Sequence, residues 1–253
     1  MIRFEGVTKK FGPKTVLDGV DFEITDGSVT FVIGKSGTGK SVLLKHIVGL
    51  MKPERGTVRV DELDVTASDE RRLAEVRRRC GMVFQFPALL DSLTVRENLA
   101  FGIRALGIAK STADEKNRIT RALEAVRLPS DLLGKLPQEL SFGVQKRVAI
   151  ARSVALEPRH LLFDEPTTGL DPVATNAIFA LIGDLARRLK VTALVVSHDM
   201  IAAMAHGDRI LMLDAGNFVA DGDAGALRKA SHPTAKAFVA EADRRTAKRE
   251  ERP

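Results

Sequence analysis

Residues 34–41 read Gly34-Lys35-Ser36-Gly37-Thr38-Gly39-Lys40-Ser41, three glycines followed by a lysine and a hydroxyl. This spacing suits wrapping phosphate oxygens: glycines let backbone N–H groups turn inward and approach closely, and a following helix N-terminus faces the same anion. Lys40 then reaches the β- and γ-phosphates and the Ser41 hydroxyl ligates Mg²⁺. A second chemical feature is Leu161-Leu162-Phe163-Asp164-Glu165, an apolar strand ending in two acids. Beside a phosphate loop these acids read as a metal-and-base pair for phosphoanhydride hydrolysis, Asp164 holding Mg²⁺ through water and Glu165 polarising the attacking water. Gln85 follows a short strand, where its amide could touch both metal and water, and His198 follows another, within reach of a γ-phosphate. Phe11, at the end of an N-terminal strand, could stack a base or belong to the core. Ser141 and Gly143 open a helix that either meets a phosphate or is simply capped there.

The elements that must position these residues follow from periodicity. Ile2–Val7 and Val16–Ile24 read as strands around the turn Gly12-Pro13, Thr30–Ile33 as a strand entering the loop, and a helix begins at Ser41. Short strands are expected at Thr57–Val60, Gly81–Phe84, Leu161–Phe163 and Ala193–Val196. Residues 87–157 are helical instead: a capping box at Thr94–Glu97, an amphipathic stretch from Lys116 to Val126, and a helix from Ser141 stopped by Pro158. Asp171-Pro172 caps a long helix towards Leu189, and another lies past Ser231. Parallel strands ending in polar loops are the layout of an α/β nucleotide site.

Composition narrows the class. The chain has 253 residues, 28% charged and 44% hydrophobic, with one Cys and a net charge of +6. Disorder and a disulfide-stapled miniprotein are excluded, and a single Cys80 points to a reducing compartment. Met1 leads straight into Ile2-Arg3-Phe4, so no secretory leader is expected, and no apolar run is long enough to span a bilayer. Most of the basic excess lies in 71–79, five Arg against one Glu, without aromatics to stack bases, which reads as a solvated helix face and gives no nucleic-acid partner.

Taken in order, these elements resemble the nucleotide-binding subunit of an ABC transporter, over residues 1 to about 225. Lys40 and its loop resemble Walker A, Gln85 the Q-loop, Leu140-Ser141-Phe142-Gly143 the signature sequence, Asp164-Glu165 Walker B, Gly169-Leu170-Asp171 the D-loop, and Ser197-His198-Asp199 the H-loop. The resemblance implies an α/β ABC-type P-loop NTPase core (mixed sheet with helices), an antiparallel N-terminal β part and an inserted α-helical subdomain. Its expected bounds are 1–240 for the ATPase domain, with core 1–86 and 158–225 and helical subdomain about 87–157, then a charged tail 241–253. It implies ATP and Mg²⁺ as cofactors, catalytic roles for Glu165, His198, Gln85 and Lys40, and metal contacts from Ser41, Gln85 and Asp164. Nucleotide contacts would come from Phe11, from Gly34, Lys35, Ser36, Gly37, Thr38, Gly39, Lys40, Ser41 and Val42, and from Ser141, Gly143 and Asp171. Two copies would pair head to tail with ATP between Walker A of one and Ser141 and Gly143 of the other, docked on a permease at the cytoplasmic face of the inner membrane.

Departures refine the expectation. The family usually reads L-S-G-G-Q, whereas here Phe142 and Val144 replace a glycine and the glutamine. The Phe142 ring either slows closure of the dimer or turns harmlessly into the helical subdomain. Val144, followed by Gln145-Lys146-Arg147, is similar to the Mla/Mce-type lipid-transport ATPases, which implies phospholipid movement and an MCE-domain protein reached through the permease. The alternatives are an ATPase for an amino-acid or other small-solute importer, or a soluble ABC protein without a permease. Phe86, Leu89, Leu90 and Leu93 would offer the permease apolar contact, or pack in the core.

Overall fold

The computed structural model describes residues 1–250; the end of the expected charged tail, 251–253, lies outside them. In chain order the elements are β1 (Ile2–Phe11), β2 (Lys14–Ile24), β3 (Val29–Ile33), α1 (Lys40–Ile47), β4 (Arg55–Val60), β5 (Leu63–Asp64), α2 (Glu70–Arg79) and β6 (Cys80–Val83). They continue with α3 (Val95–Ala105), α4 (Thr112–Ala125), two 3₁₀ turns, α5 (Phe142–Val154), β7 (His160–Asp164) and α6 (Pro172–Leu189). The last are β8 (Thr192–Ser197), α7 (Met200–His206), β9 (Arg209–Asp214), β10 (Asn217–Gly222), α8 (Ala224–Arg228) and α9 (Pro233–Glu250). The chain divides into two compact units, 1–76 with 192–253, and 77–191.

In the first unit an antiparallel sheet runs β2-β1-β4-β5. Alternation puts Ile2 and Phe4 inward from β1, a register shift between Phe4 and Val7 brings Val7 to the same face, and Phe4 sits opposite Phe22 with ring centroids 4.5 Å apart. The expected turn at Gly12-Pro13 joins β1 to β2, with Gly12 at φ +57°. β3 has no such alternation because it lies between β8 and β9, parallel to both, and all five of its residues are buried. Burying Phe31, Val32 and Ile33 contributes about 1.5–3 kcal/mol each relative to exposure, which fixes the strand that delivers the glycine loop. β10 closes this sheet antiparallel on β9, a hairpin absent from the expected strands.

In the second unit β6 and β7 pair in parallel, Gly81 opposite Leu161. α3 and α4 both pack on α5, burying Leu99, Ile103, Ile119, Leu123, Val148 and Ile150. The capping box at α3 forms as expected: Thr94 Oγ1 accepts from the Glu97 N–H and the Glu97 carboxylate accepts from the Thr94 N–H. Asp171 caps α6, its Oδ1 accepting from Val173 and Ala174 N–H at 2.8 and 2.9 Å. Of the basic segment, α2 buries Leu73 and Val76; Arg71, Arg72 and Arg78 are exposed as expected of a solvated face, whereas Arg77 and Arg79 are half-buried. α9 buries Ala235, Val239 and Ala242 while Glu241, Asp243 and Arg245 stay exposed. Among the described residues no helix is long and apolar enough to cross a membrane.

Candidate functional site

The first unit holds the glycine loop. β3 ends at Ile33, and residues 34–39 carry the chain back into α1. Two glycines are needed for space and one for conformation. A Cβ on Gly34 would lie 2.5 Å from the Leu213 carbonyl oxygen at the end of β9, and one on Gly39 would lie 2.6 Å from Val16 Cγ1 on β2. Gly37 has open space, but its φ of +78° is the left-handed region that side chains avoid. Gly39 adds φ +105° as the residue before α1. Among the described residues no side chain caps α1 and no acid occupies its first turn, so its N-terminal dipole is left to an anion.

Lys40 is 5% exposed and turns back into the loop, its Nζ donating to the Gly34 and Lys35 carbonyls at 2.8 and 3.0 Å. Thr38 Oγ1 also donates to the Lys35 carbonyl, at 2.9 Å. The loop is therefore a closed turn around a buried cation, with Lys35, Ser36 and Gly37 exposed at its crest and Ser41 and Val42 half-buried behind it. Its amides, cation and glycines fit a polyphosphate, and side chains at positions 34 or 39 would collide with Leu213 or Val16 and push the loop out of this shape. Gly39→Ala is expected to cost about 1–3 kcal/mol through its φ alone, with the Val16 clash in addition. The melting temperature should drop by at least about 3 °C, as differential scanning calorimetry would measure.

Two more expected residues lie in this unit. Phe11 is 48% exposed at the end of β1, so it is not a core residue, and Lys9 Nζ stands 5.5 Å from its ring centroid. His198 is exposed directly after β8, while Asp199 beside it caps α7 by accepting from the Ala202 N–H at 3.0 Å. A cleft of about 250 Å³ runs from His198 and Met200 to Phe238 and Arg245 of α9, a neighbourhood that sequence pattern did not indicate.

The second unit holds the acids, the amide and the helix start. Asp164 ends β7 half-buried and Glu165 follows at φ +45°, directly before Pro166. A non-glycine residue in that region stores about 1–3 kcal/mol, and such strain collects at functional sites. The turn is tied by Thr168 N–H to the Glu165 carbonyl at 3.2 Å and Leu170 N–H to the Thr167 carbonyl at 3.1 Å, leading to Gly169 at φ +85°. Gln85 is exposed just beyond β6. Ser141, the residue before α5, is exposed, and with Gly143, Val144, Arg147, Ala174 and Ile178 it lines a hollow of about 210 Å³. The Phe142 ring has turned inward: a Cβ on Gly169 would lie 3.0 Å from its Cε1, and Lys146 Nζ stands 5.2 Å from its centroid.

Lys146 is a residue that sequence reasoning used only as half of a basic pair. It is 1% exposed, donates to the Gln85 carbonyl, and burial pushes its ammonium down to about 8. Asn98 was also missed. Buried on α3, its amide donates to the Leu90, Leu93 and Thr94 carbonyls at 3.1, 2.9 and 3.1 Å and accepts from the Leu90 N–H at 2.8 Å. Each unit thus gathers its own candidates: Gly34–Val42, Phe11 and His198 in the first; Gln85, Ser141, Gly143, Asp164, Glu165 and Asp171 in the second.

A buried parallel strand that feeds a glycine loop around a buried lysine, and so into an uncapped helix, defines a phosphate-loop nucleotide-binding domain. A family model described as "ABC transporter" matches residues 17–168, and the chain belongs to that family as an ABC-type ATPase domain. The methionine import ATP-binding protein MetN of Rhizobium johnstonii is 38% identical over 222 residues, covering 88% of this chain and 60% of that protein. MetN of Caulobacter vibrioides is 41% identical over 247 residues, covering 96% and 73% respectively. The chain therefore spans about 60% of the length of the first of these relatives. Among solved structures, the dimeric ATP-binding cassette MJ0796 with ADP and Pi superposes at TM-score 0.80, with 33% identity over 88% of this chain and 99% of that one. CbiO1 of Clostridium perfringens, part of the transporter complex cbiONQ, superposes at 0.81 with 27% identity, covering 95% and 98%. The expected α/β cassette architecture, with its antiparallel N-terminal sheet and helical insert, is the one these structures share.

Proposed function

We propose that this chain is the ATP-hydrolysing subunit of an ABC importer for a small solute of the amino-acid class. The loop closed around Lys40, in a member of this family, carries the ATPase part. The solute class is supported by the methionine importers it is similar to. In this reading residues 1–240 form the ATPase domain, with the helical subdomain at about 87–157 and the tail 241–253 beyond it. The loop amides and Lys40 hold the triphosphate, and Phe11 offers its exposed ring to the base. A water adds to the γ-phosphorus as the bond to the β–γ bridging oxygen breaks, its proton passing to Glu165, while His198 and Gln85 orient the reacting groups. Ser41, Gln85 and Asp164 supply the hydroxyl, amide and carboxylate oxygens that suit magnesium, which when bound offsets the charge on the β- and γ-phosphates. A second copy, head to tail, brings Ser141, Gly143 and Asp171 to the same nucleotide; the dimeric state of the similar cassette MJ0796 supports the pairing of two copies.

The domain acts at the cytoplasmic face of the cell membrane, docked on a permease. Phe86 and Leu90, 64% and 39% exposed after Gln85, are the apolar contacts, with Leu90 held in place by Asn98. Leu90→Asp is expected to abolish co-purification with the permease from detergent extracts while nucleotide affinity stays within about threefold. Retained co-purification contradicts this docking surface.

A second reading, lipid transport of the Mla/Mce type, keeps one specific observation: Val144 in place of the glutamine of L-S-G-G-Q, followed by Gln145-Lys146-Arg147, is similar to that branch. The relatives named above favour solute import instead, and none of the observations here supports an MCE-domain partner. Purification of the membrane complex separates the two. A bound periplasmic solute-binding protein confirms import of a small solute, and an MCE-domain protein with bound phospholipid overturns it.

A further inference from the structure

α5 does more than carry Ser141 and Gly143 at its start. Three of its side chains donate to backbone carbonyls of one stretch, residues 82–88: Lys146 to Gln85, Arg152 to Ala88 at 2.7 Å and to Pro87 at 3.4 Å, and Ser153 to Met82 at 3.0 Å. That stretch contains Gln85 and is bent by Ala88 at φ +48°, a conformation alanine holds only when its surroundings fix it. Lys146 is the least exposed of the three donors, at 1%, and a charged group buried to that extent needs compensation for its lost water. Its compensation is a carbonyl on one side and the negative face of the Phe142 ring on the other, four residues earlier on the same helix. The ring in turn rests against Gly169, where a Cβ would come within 3.0 Å of it. Gly169, Phe142, Lys146 and the Gln85 backbone thus form a continuous line of contacts.

We propose that Lys146 is a positioning residue that fixes the backbone of Gln85, and that Phe142 is the platform holding Lys146 there. The line ties the placement of the Gln85 amide to the helix start at Ser141 and to the turn at Gly169. Phe142 then has a use that a glycine at that position could not supply, and the departure from L-S-G-G-Q is matched by the lysine beneath which it packs. The proposal rests on the ATPase reading for its catalytic consequence, though not for the strut itself. A displacement of an orienting group by about 1 Å costs on the order of a hundredfold in rate, so even partial loosening of Gln85 is measurable.

Lys146→Met keeps the length and removes the charge. Amide hydrogen exchange across residues 84–88 is expected to quicken about tenfold in the nucleotide-free protein. In steady-state hydrolysis kcat should fall about tenfold with KM for ATP within about threefold, and Lys146→Arg, which keeps cation and donor, should restore most of both. Unchanged exchange at 84–88 in a Lys146→Met protein that melts like the wild type overturns the strut. Should Lys146→Met fail to fold, Phe142→Leu decides: faster exchange in the same stretch supports the platform, and unchanged exchange overturns it. A wild-type protein that does not hydrolyse ATP sinks the ATPase reading, and the exchange measurement still decides the strut.

Discussion

Glu165→Gln is expected to bind ATP as the wild type does and to hydrolyse it roughly 10²–10⁴ times more slowly, the range removed with a general base. The two side chains have nearly the same shape, and the Thr168 N–H bond to the Glu165 backbone carbonyl across the turn at φ +45° does not depend on the carboxylate's charge. What the amide loses is the ability to take the proton from water. With hydrolysis blocked, the ATP-loaded dimer has no exit, so light scattering in Mg-ATP should show twice the monomer mass, returning to the monomer value after ATP is removed. Hydrolysis by Glu165→Gln at the wild-type rate contradicts the role given to this residue.

Lys40→Ala should lose ATP affinity by roughly 100-fold. A charge-assisted hydrogen bond contributes about 1.5–3 kcal/mol, so the lost contacts to the β- and γ-phosphates account for a factor of that order. The substitution also removes the Nζ contacts to the Gly34 and Lys35 carbonyls, so the loop itself loosens. Calorimetric titration with ATP, read beside the melting temperature, distinguishes lost affinity from lost folding. An affinity within about threefold of wild type, in a folded variant, removes Lys40 from the nucleotide contacts.

The parts of this protein that were legible in the sequence are those where one residue type is physically required. Glycines 34, 37 and 39, the capping acid Asp171 and the Thr94–Glu97 box each meet a steric or hydrogen-bonding need that few other residues satisfy. The hairpin of β9 and β10 was not read, because Ile210–Leu213 is a short apolar run whose strand character depends on β3 beside it. The left-handed turn at Glu165 leaves no mark in composition. The role of Lys146 is not visible in the sequence for a physical reason: a lysine is almost never fully buried, and only the fold shows that a carbonyl and a ring stand where its water would be. The cargo is hardest to read, since in the proposed reading the candidate residues of this chain serve nucleotide and permease rather than the cargo itself. Val144 and the Gln145-Lys146-Arg147 that follows it point to lipid transport, while similarity over most of the chain favours solute import.

The most direct measurement is a structure of Glu165→Gln determined with Mg-ATP. The account predicts two copies related by a twofold axis, each triphosphate lying in the Gly34–Ser41 loop of one and against Ser141 and Gly143 of the other. Nucleotide bound away from that loop, or held there with Ser141 and Gly143 of the second copy turned to solvent, would contradict it.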